Sequence, residues 1–172
     1  MRRRAEGRSL HYVVPGKAVH DTERVLRAYG SEPYPREGFA YWGGSRTKSG
    51  FEVKSVIAPR LDANFAGVRI SAESNSRVVQ ALCEYSIVEL AQVHSHPGGW
   101  VDHSRGDDLM APFKVEGLVS IVVPDFCRRG MLPIEICGVH RFEGGRFVRL
   151  SSGHVKRSFI ISRKSSAFYD LR

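Results

Sequence analysis

No stretch of the 172-residue sequence holds the roughly 18 consecutive apolar residues that a membrane-spanning helix needs. The arginines of Met1-Arg2-Arg3-Arg4 lead into polar sequence rather than an apolar signal segment, so the expectation is a soluble, cytoplasmic chain. Cysteine is scarce: Cys83, Cys127 and Cys137 are widely spaced with no C-x-x-C pair, which excludes a zinc ribbon or a redox dithiol and leaves buried free thiols as the expectation. There is no H-E-x-x-H, no G-x-S-x-G, and no H-x-E followed by P-C-x-x-C. Thermolysin-like proteases, serine hydrolases and zinc deaminases are thereby set aside. Acidic residues are outnumbered, 18 Asp+Glu against 26 Lys+Arg, and the net charge of +8 permits an acidic or nucleic-acid partner without selecting one. Internal repeats, low-complexity tracts and long linkers are also missing. With 42% hydrophobic residues, what remains reads as a single domain over 1–172, with a basic tail at 1–8 and a second tail at 163–172.

Periodicity supplies the elements. Residues 9–14 read as a strand ending at Pro15-Gly16, and Ala18, Val19, Thr22, Val25, Leu26 and Tyr29 form one stripe of a helix that Gly30 can end. A turn at 31–35 leads to a strand from Glu37 to Trp42, closing at Gly43-Gly44; Phe51–Ala58 and Phe65–Ile70 are further strand candidates. Ser71 is a candidate N-cap with Glu73 in the first turn, and Val78, Val79, Leu82 and Tyr85 give a second amphipathic helix. Ile87–Val93 is almost wholly apolar, as in a central strand buried on both faces. Strands follow at Leu118–Val123, Ile134–Phe142 and Arg146–Leu150, the last two joined by Glu143-Gly144-Gly145, with an edge strand at Val155–Ile161. The predicted class is α/β (α+β): a mixed, curved sheet flanked by two main helices.

The apolar run delivers the chain to His94-Ser95-His96-Pro97-Gly98-Gly99-Trp100. Residues i and i+2 of a strand share a face, so both imidazoles point one way and Ser95 the other. Downstream, Ser104 and Asp107 fall on one side of a helical turn beginning there. Two neutral imidazoles and a carboxylate are a donor set that a catalytic zinc ion takes from a protein. Each member alone has an ordinary reading: a polar strand end, an N-cap serine, an aspartate favoured by the helix dipole. The combination is harder to dismiss. Asp108 is a second carboxylate beside Asp107.

The run His94-Ser95-His96-Pro97, six residues, then Ser104-Arg105-Gly106-Asp107 resembles the H-[ST]-H-P-x6-S-x-x-D signature of the JAMM (MPN-type) zinc metalloproteases, without a spacing error. Upstream, Glu37-Gly38-Phe39-Ala40-Tyr41-Trp42-Gly43-Gly44 resembles the family's E-x-x-G-x-x-x-G strand, with Ala40 in place of the inner glycine. The likeness covers roughly residues 9–125. It implies the MPN/JAB (cytidine-deaminase-like) fold, one catalytic Zn2+ held by His94, His96 and Asp107, Glu37 as general base, and Ser104 as a support for the oxyanion. Glu32 and Glu52 are other carboxylates near Glu37 in sequence.

The resemblance further implies cleavage after the C-terminal glycine of ubiquitin or a ubiquitin-like protein, as deconjugation or precursor processing. The short chain looks like the prokaryotic branch, whose members include antiviral-operon proteins encoded beside activating and conjugating enzymes. Trp100, in the loop, would contact the tail or pack the loop. Trimming of a sulfur-carrier tail and a non-catalytic protein-binding scaffold are the alternatives. A third reading uses Lys156-Arg157, Arg163-Lys164 and the aromatics Phe159, Phe168 and Tyr169 to hold nucleic acid, but no nucleic-acid motif supports it.

Overall fold

The computed structural model describes residues 10–62 and 68–172. The basic stretch 1–8, Ser9 of the first expected strand and 65–67 of the expected strand Phe65–Ile70 lie outside the described residues; Val68–Ile70 form no regular element. The chain runs β1 (His11–Pro15), α1 (Gly16–Gly30), β2 (Phe39–Thr47), β3 (Gly50–Pro59), α2 (Ala72–Glu84), β4 (Val88–Ser95), α3 (Arg105–Met110), β5 (Val119–Val123), β6 (Gly138–Glu143), β7 (Arg146–Arg149), α4 (Ser152–Ser158), β8 (Phe159–Ser162) and β9 (Ala167–Leu171). One mixed sheet has the order β7-β6-β5-β4-β2-β3-β1-β8, and β9 joins β3 in parallel beyond the end of its pairing with β1.

The pleat of β2 shows why the layers form. Phe39 to Trp42 are all buried, but they alternate in partner. Ala40 and Trp42 belong to the cluster containing Val19, Val25 and Leu26 of α1, whereas Phe39 and Tyr41 pack with Val78 and Leu82 of α2. The sheet is therefore covered on both faces, by one main helix each. Thr22, the polar member of the α1 stripe, donates to the Ala18 carbonyl at 2.7 Å and accepts from the Trp42 indole N–H at 2.8 Å, so its hydroxyl is buried without an unmet bond. The Ser71 cap is as expected: its side chain accepts from the Ser74 N–H. Gly144 and Gly145 both have positive φ, which the tight turn between β6 and β7 demands and other residues resist.

Five expectations need correction. Val155–Ile161 is not an edge strand: Ser151 caps a helical turn by accepting from the His154 N–H, α4 buries Val155, and extended pairing begins only at Phe159. Residues 163–172 are not a tail, because 167–171 are β9. The strand expected from Ile134 starts at Gly138; Pro133 leads instead into a single 3-10 turn at Ile134–Ile136. Glu37 precedes β2 rather than lying in it. Cys83 is exposed on α2, while Cys127 and Cys137 are buried as expected, with thiols that burial raises. Among the described residues, no helix is long and apolar enough to cross a membrane.

Candidate metal centre

β4 runs two residues beyond its apolar stretch and carries His94 and Ser95 inside the sheet. His94 lies opposite Phe39 in β2 and Val122 in β5. The pairing continues one residue further, with the His96 N–H donating to the Val123 carbonyl at 2.9 Å. That extension keeps both imidazoles in strand alternation, on one side and buried, at 4% and 5% exposure. Ser95 faces away, and its hydroxyl accepts from the Gly38 N–H at 3.0 Å, tying β4 to the segment carrying Glu37.

His96 Nδ1 lies 3.0 Å from the Trp100 carbonyl. A carbonyl only accepts, so Nδ1 carries the proton and Nε2 presents its lone pair. The Trp100 indole stacks on the same imidazole, centroids 5.3 Å apart and planes 15° from parallel.

Asp107 is the third residue of α3 and is held by a reciprocal cap. The Ser104 hydroxyl accepts from the Asp107 N–H at 3.0 Å, and Asp107 Oδ2 accepts from the Ser104 N–H at 2.6 Å. The carboxylate then faces both rings: Oδ1 is 3.5 Å from His94 Nε2 and Oδ2 is 3.3 Å from His96 Nε2. Burial works against its charge, but the two imidazoles and the Ser104 N–H outweigh this and hold its pKa well below the carboxylate range. Burial would likewise depress His96, yet Asp107, the Trp100 carbonyl and Glu37 raise its pKa.

These three residues could hold a metal ion. One donor atom from each lies within 4.8 Å of the others. Nitrogen and oxygen ligands about 2.0–2.1 Å from a tetrahedral zinc ion stand about 3.3–3.4 Å apart; the two Asp107 oxygens lie 3.5 and 3.3 Å from the His94 and His96 nitrogens, a comparable separation. His94 Nε2 is buried with no hydrogen-bond partner, since 3.5 Å to Asp107 is too long for a good bond. A cation would satisfy it.

Glu37 lines the same cavity, of about 450 Å³, with His96, Trp100, Ser104, Asp107 and Met110. Burial first, then the Asp107 charge, push its pKa up to about 7 against the opposing pull of His96. A carboxyl poised there can exchange a proton near neutral pH. Glu32 instead pairs with Arg36 and Glu52 with Lys164, and neither lines the cavity. Asp108 is half-exposed and bonds His103.

Three supports had no recognisable signal in the sequence. Asp125, Phe126 and Cys127 adopt left-handed φ values of 53°, 51° and 61° without a glycine among them. Left-handed geometry costs about 1–2 kcal/mol per residue. In this conformation the N–H groups of Asp125 and Phe126 donate to the carbonyls of Gly98 and His96, at 3.0 and 2.8 Å. The loop that follows the two histidines thus rests on a strained turn. On its other side, a Cβ at Gly138 would run into the Val101 carbonyl oxygen, so the loop lies flat against β6 only because that residue is glycine. The third support is His103, which bonds both Asp108 and Ser120.

A buried site with two imidazoles, a carboxylate and a neutral-pH glutamate has the composition of a metal-dependent hydrolase. Comparison with known proteins carries this further. The chain is 31% identical over 119 residues to the probable metalloprotease y4jG of Sinorhizobium fredii, covering 67% of this chain and 72% of that protein. It belongs to that metalloprotease family, and such a family implies a metal ion. No protein-family model matches the chain. The solution structure of protein DSY2949 from Desulfitobacterium hafniense has the same fold, with a TM-score of 0.64 over 89% of this chain and 94% of that one at 17% identity.

Proposed function

We propose that this protein is a JAMM-type zinc peptidase or isopeptidase with the MPN/JAB fold, of the prokaryotic branch, cutting after the C-terminal glycine of a ubiquitin-like protein. The observation that carries the reading is the convergence of His94 and His96, from a core strand, with Asp107, from a capped helical turn, where Glu37 lines one cavity with His96 and Asp107. The spacing from His94 to Asp107 that resembles the JAMM signature supports its finer form. A zinc ion held by His94, His96 and Asp107 would supply Lewis acidity there, acidifying a water toward a pKa of about 7 and polarising the scissile carbonyl. Glu37 would accept a proton from the attacking water and return it to the departing amine. The Ser104 oxygen already accepts from the Asp107 N–H, which leaves its own O–H free to donate to the developing oxyanion. His96 keeps its proton on Nδ1, against the Trp100 carbonyl, so that its other nitrogen stays a ligand.

The approach is open on the side of the loop, where a Cβ at Gly98 or Gly99 would meet nothing within 4 Å, and Trp100, 54% exposed, stacks on His96 as an apolar surface beside it. A glycine-ended tail would lie against that indole. Partners would be the ubiquitin-like protein or its conjugates, and the activating and conjugating enzymes that make them.

Zinc per chain measured on purified protein should be close to one, and should fall to background in His94→Ala/His96→Ala. A wild-type chain without stoichiometric metal overturns the reading. Glu37→Gln should keep the zinc and lose at least about a hundredfold in cleavage of a ubiquitin-like protein bearing a C-terminal extension. Parallel extensions on a ubiquitin-like and a sulfur-carrier protein separate the two substrate readings.

A further inference from the structure

The carboxylate of the ligand set sits on a poorly anchored helix. α3 has six residues and none is buried; Leu109 and Met110 are 64% and 53% exposed. So short a helix has no stability of its own in water, and α3 buries no apolar face against the sheet. The reciprocal cap fixes Asp107 relative to Ser104, but it does not fix that pair relative to β4.

The link to the sheet is made one residue upstream. The His103 side chain is 5% exposed, with Nδ1 2.9 Å from Asp108 Oδ1 and Nε2 2.8 Å from Ser120 Oγ in β5. The carboxylate can only accept, so Nδ1 carries the proton and Nε2 accepts from the Ser120 hydroxyl. The ring is wedged among His94, His140 and Phe147, at centroid distances of 5.9, 4.2 and 4.7 Å. In the pairing of β4 with β5, Ser120 stands opposite Gln92 and Val122 opposite His94. The anchor point and the first histidine ligand therefore share one face of the same rigid strand pair, two residues apart.

We propose that His103 is a positioning residue of the metal centre: its buried imidazole bolts the start of α3 to β5 and so sets Asp107 opposite His94 and His96. This rests on the reading of those three residues as metal ligands. The ring touches neither metal nor substrate; it acts through Asp107. Ordering the third ligand in advance raises affinity, because the ordering cost is not met when the ion arrives.

The test compares wild type, His103→Ala, His103→Gln and Ser120→Ala by competition for zinc against a chromophoric chelator, with the folded state checked by melting of the metal-free chains. His103→Ala should weaken zinc binding about 10–100-fold, with Ser120→Ala losing part of that and His103→Gln restoring part. A role confined to general stability would lower the melting temperature and leave the affinity of the folded chain unchanged. Amide exchange on the metal-free chains gives a second readout: Asp107, Asp108 and Ala111, whose N–H groups are bonded within the α3 turn, should exchange faster in His103→Ala while β4 and β5 stay protected. Unchanged affinity with unchanged exchange at those amides overturns the proposal. If His103→Ala does not fold, Ser120→Ala decides by the same two measurements. A wild type that binds no zinc defeats the metal reading, whereas the exchange experiment still reports whether His103 holds α3.

Discussion

Away from the candidate metal centre, burial strongly opposes the charge of Glu89. Its Oε1 is buried without a partner, and burial lifts its pKa to about 8 from an ordinary 4.5. Between those values the folded protein keeps a proton that the unfolded chain has released, so stability falls as pH rises from 4.5 to 8. Glu89→Gln should therefore raise the melting temperature at pH 8–9 by a few degrees, roughly 1 kcal/mol, and change little near pH 5. Melting curves of both proteins across that range decide it; an equal gain at both ends would mean that packing, not ionisation, is responsible. The residue scale is also where the sequence was most legible. Alternation alone placed His94 and His96 on one face and Ser95 on the other, because a strand's period is insensitive to what surrounds it. His103 could not be read in that way. Its two partners are five and seventeen residues distant, and a lone histidine before an N-cap serine has no pattern of its own.

Elements were legible where an apolar period repeats and obscure where backbone geometry decides. α1, α2 and β4 follow their stripes, with bounds shifted by a few residues. α4 was read as a strand because Val155, Phe159 and Ile161 suit either form, and only the Ser151 cap tips the first turn toward helix. The left-handed turn at Asp125–Cys127 contains no glycine to announce it, and Gly138 looks like any residue opening a strand. The turn is set by backbone geometry that no residue type there announces, and a glycine opening a strand does not show that the Val101 carbonyl lies against it. Gly138→Ala should accordingly push Val101 away from β6. The expected result is a loss of about 1–3 kcal/mol in stability together with weaker metal binding at the candidate centre, although Gly138 lies against Val101 and not against His94, His96 or Asp107. Calorimetry and chelator competition on the same variant test the two parts; a loss of stability with zinc affinity intact would free the ligand loop from this contact.

At the scale of the molecule, β9 joins the layers. Its pleat sends Phe168 beneath the Arg24 guanidinium of α1, 4.6 Å from ring centre to Cζ, and Tyr169 into a stack with Tyr85 beyond α2, centroids 4.2 Å apart. Removing residues 167–172 would bare half of one edge of β3 and release both contacts at once. A truncated chain should melt several degrees lower and self-associate through the exposed edge, which scanning calorimetry and size-exclusion chromatography would show. An unaltered melting temperature would make β9 a passive appendage.

The parallel seat of β9 also has a consequence in time. A ribosome emits the chain from the amino end at about 5–20 residues per second, so β3 emerges seconds before the strand that covers it. The two main helices, α1 and α2, and the four candidate site residues, Glu37, His94, His96 and Asp107, all precede β9 in the chain and emerge before it. During that interval the nascent protein carries an unpaired strand edge, and chaperone contact with the growing chain should be concentrated on β3 until residues 167–171 appear.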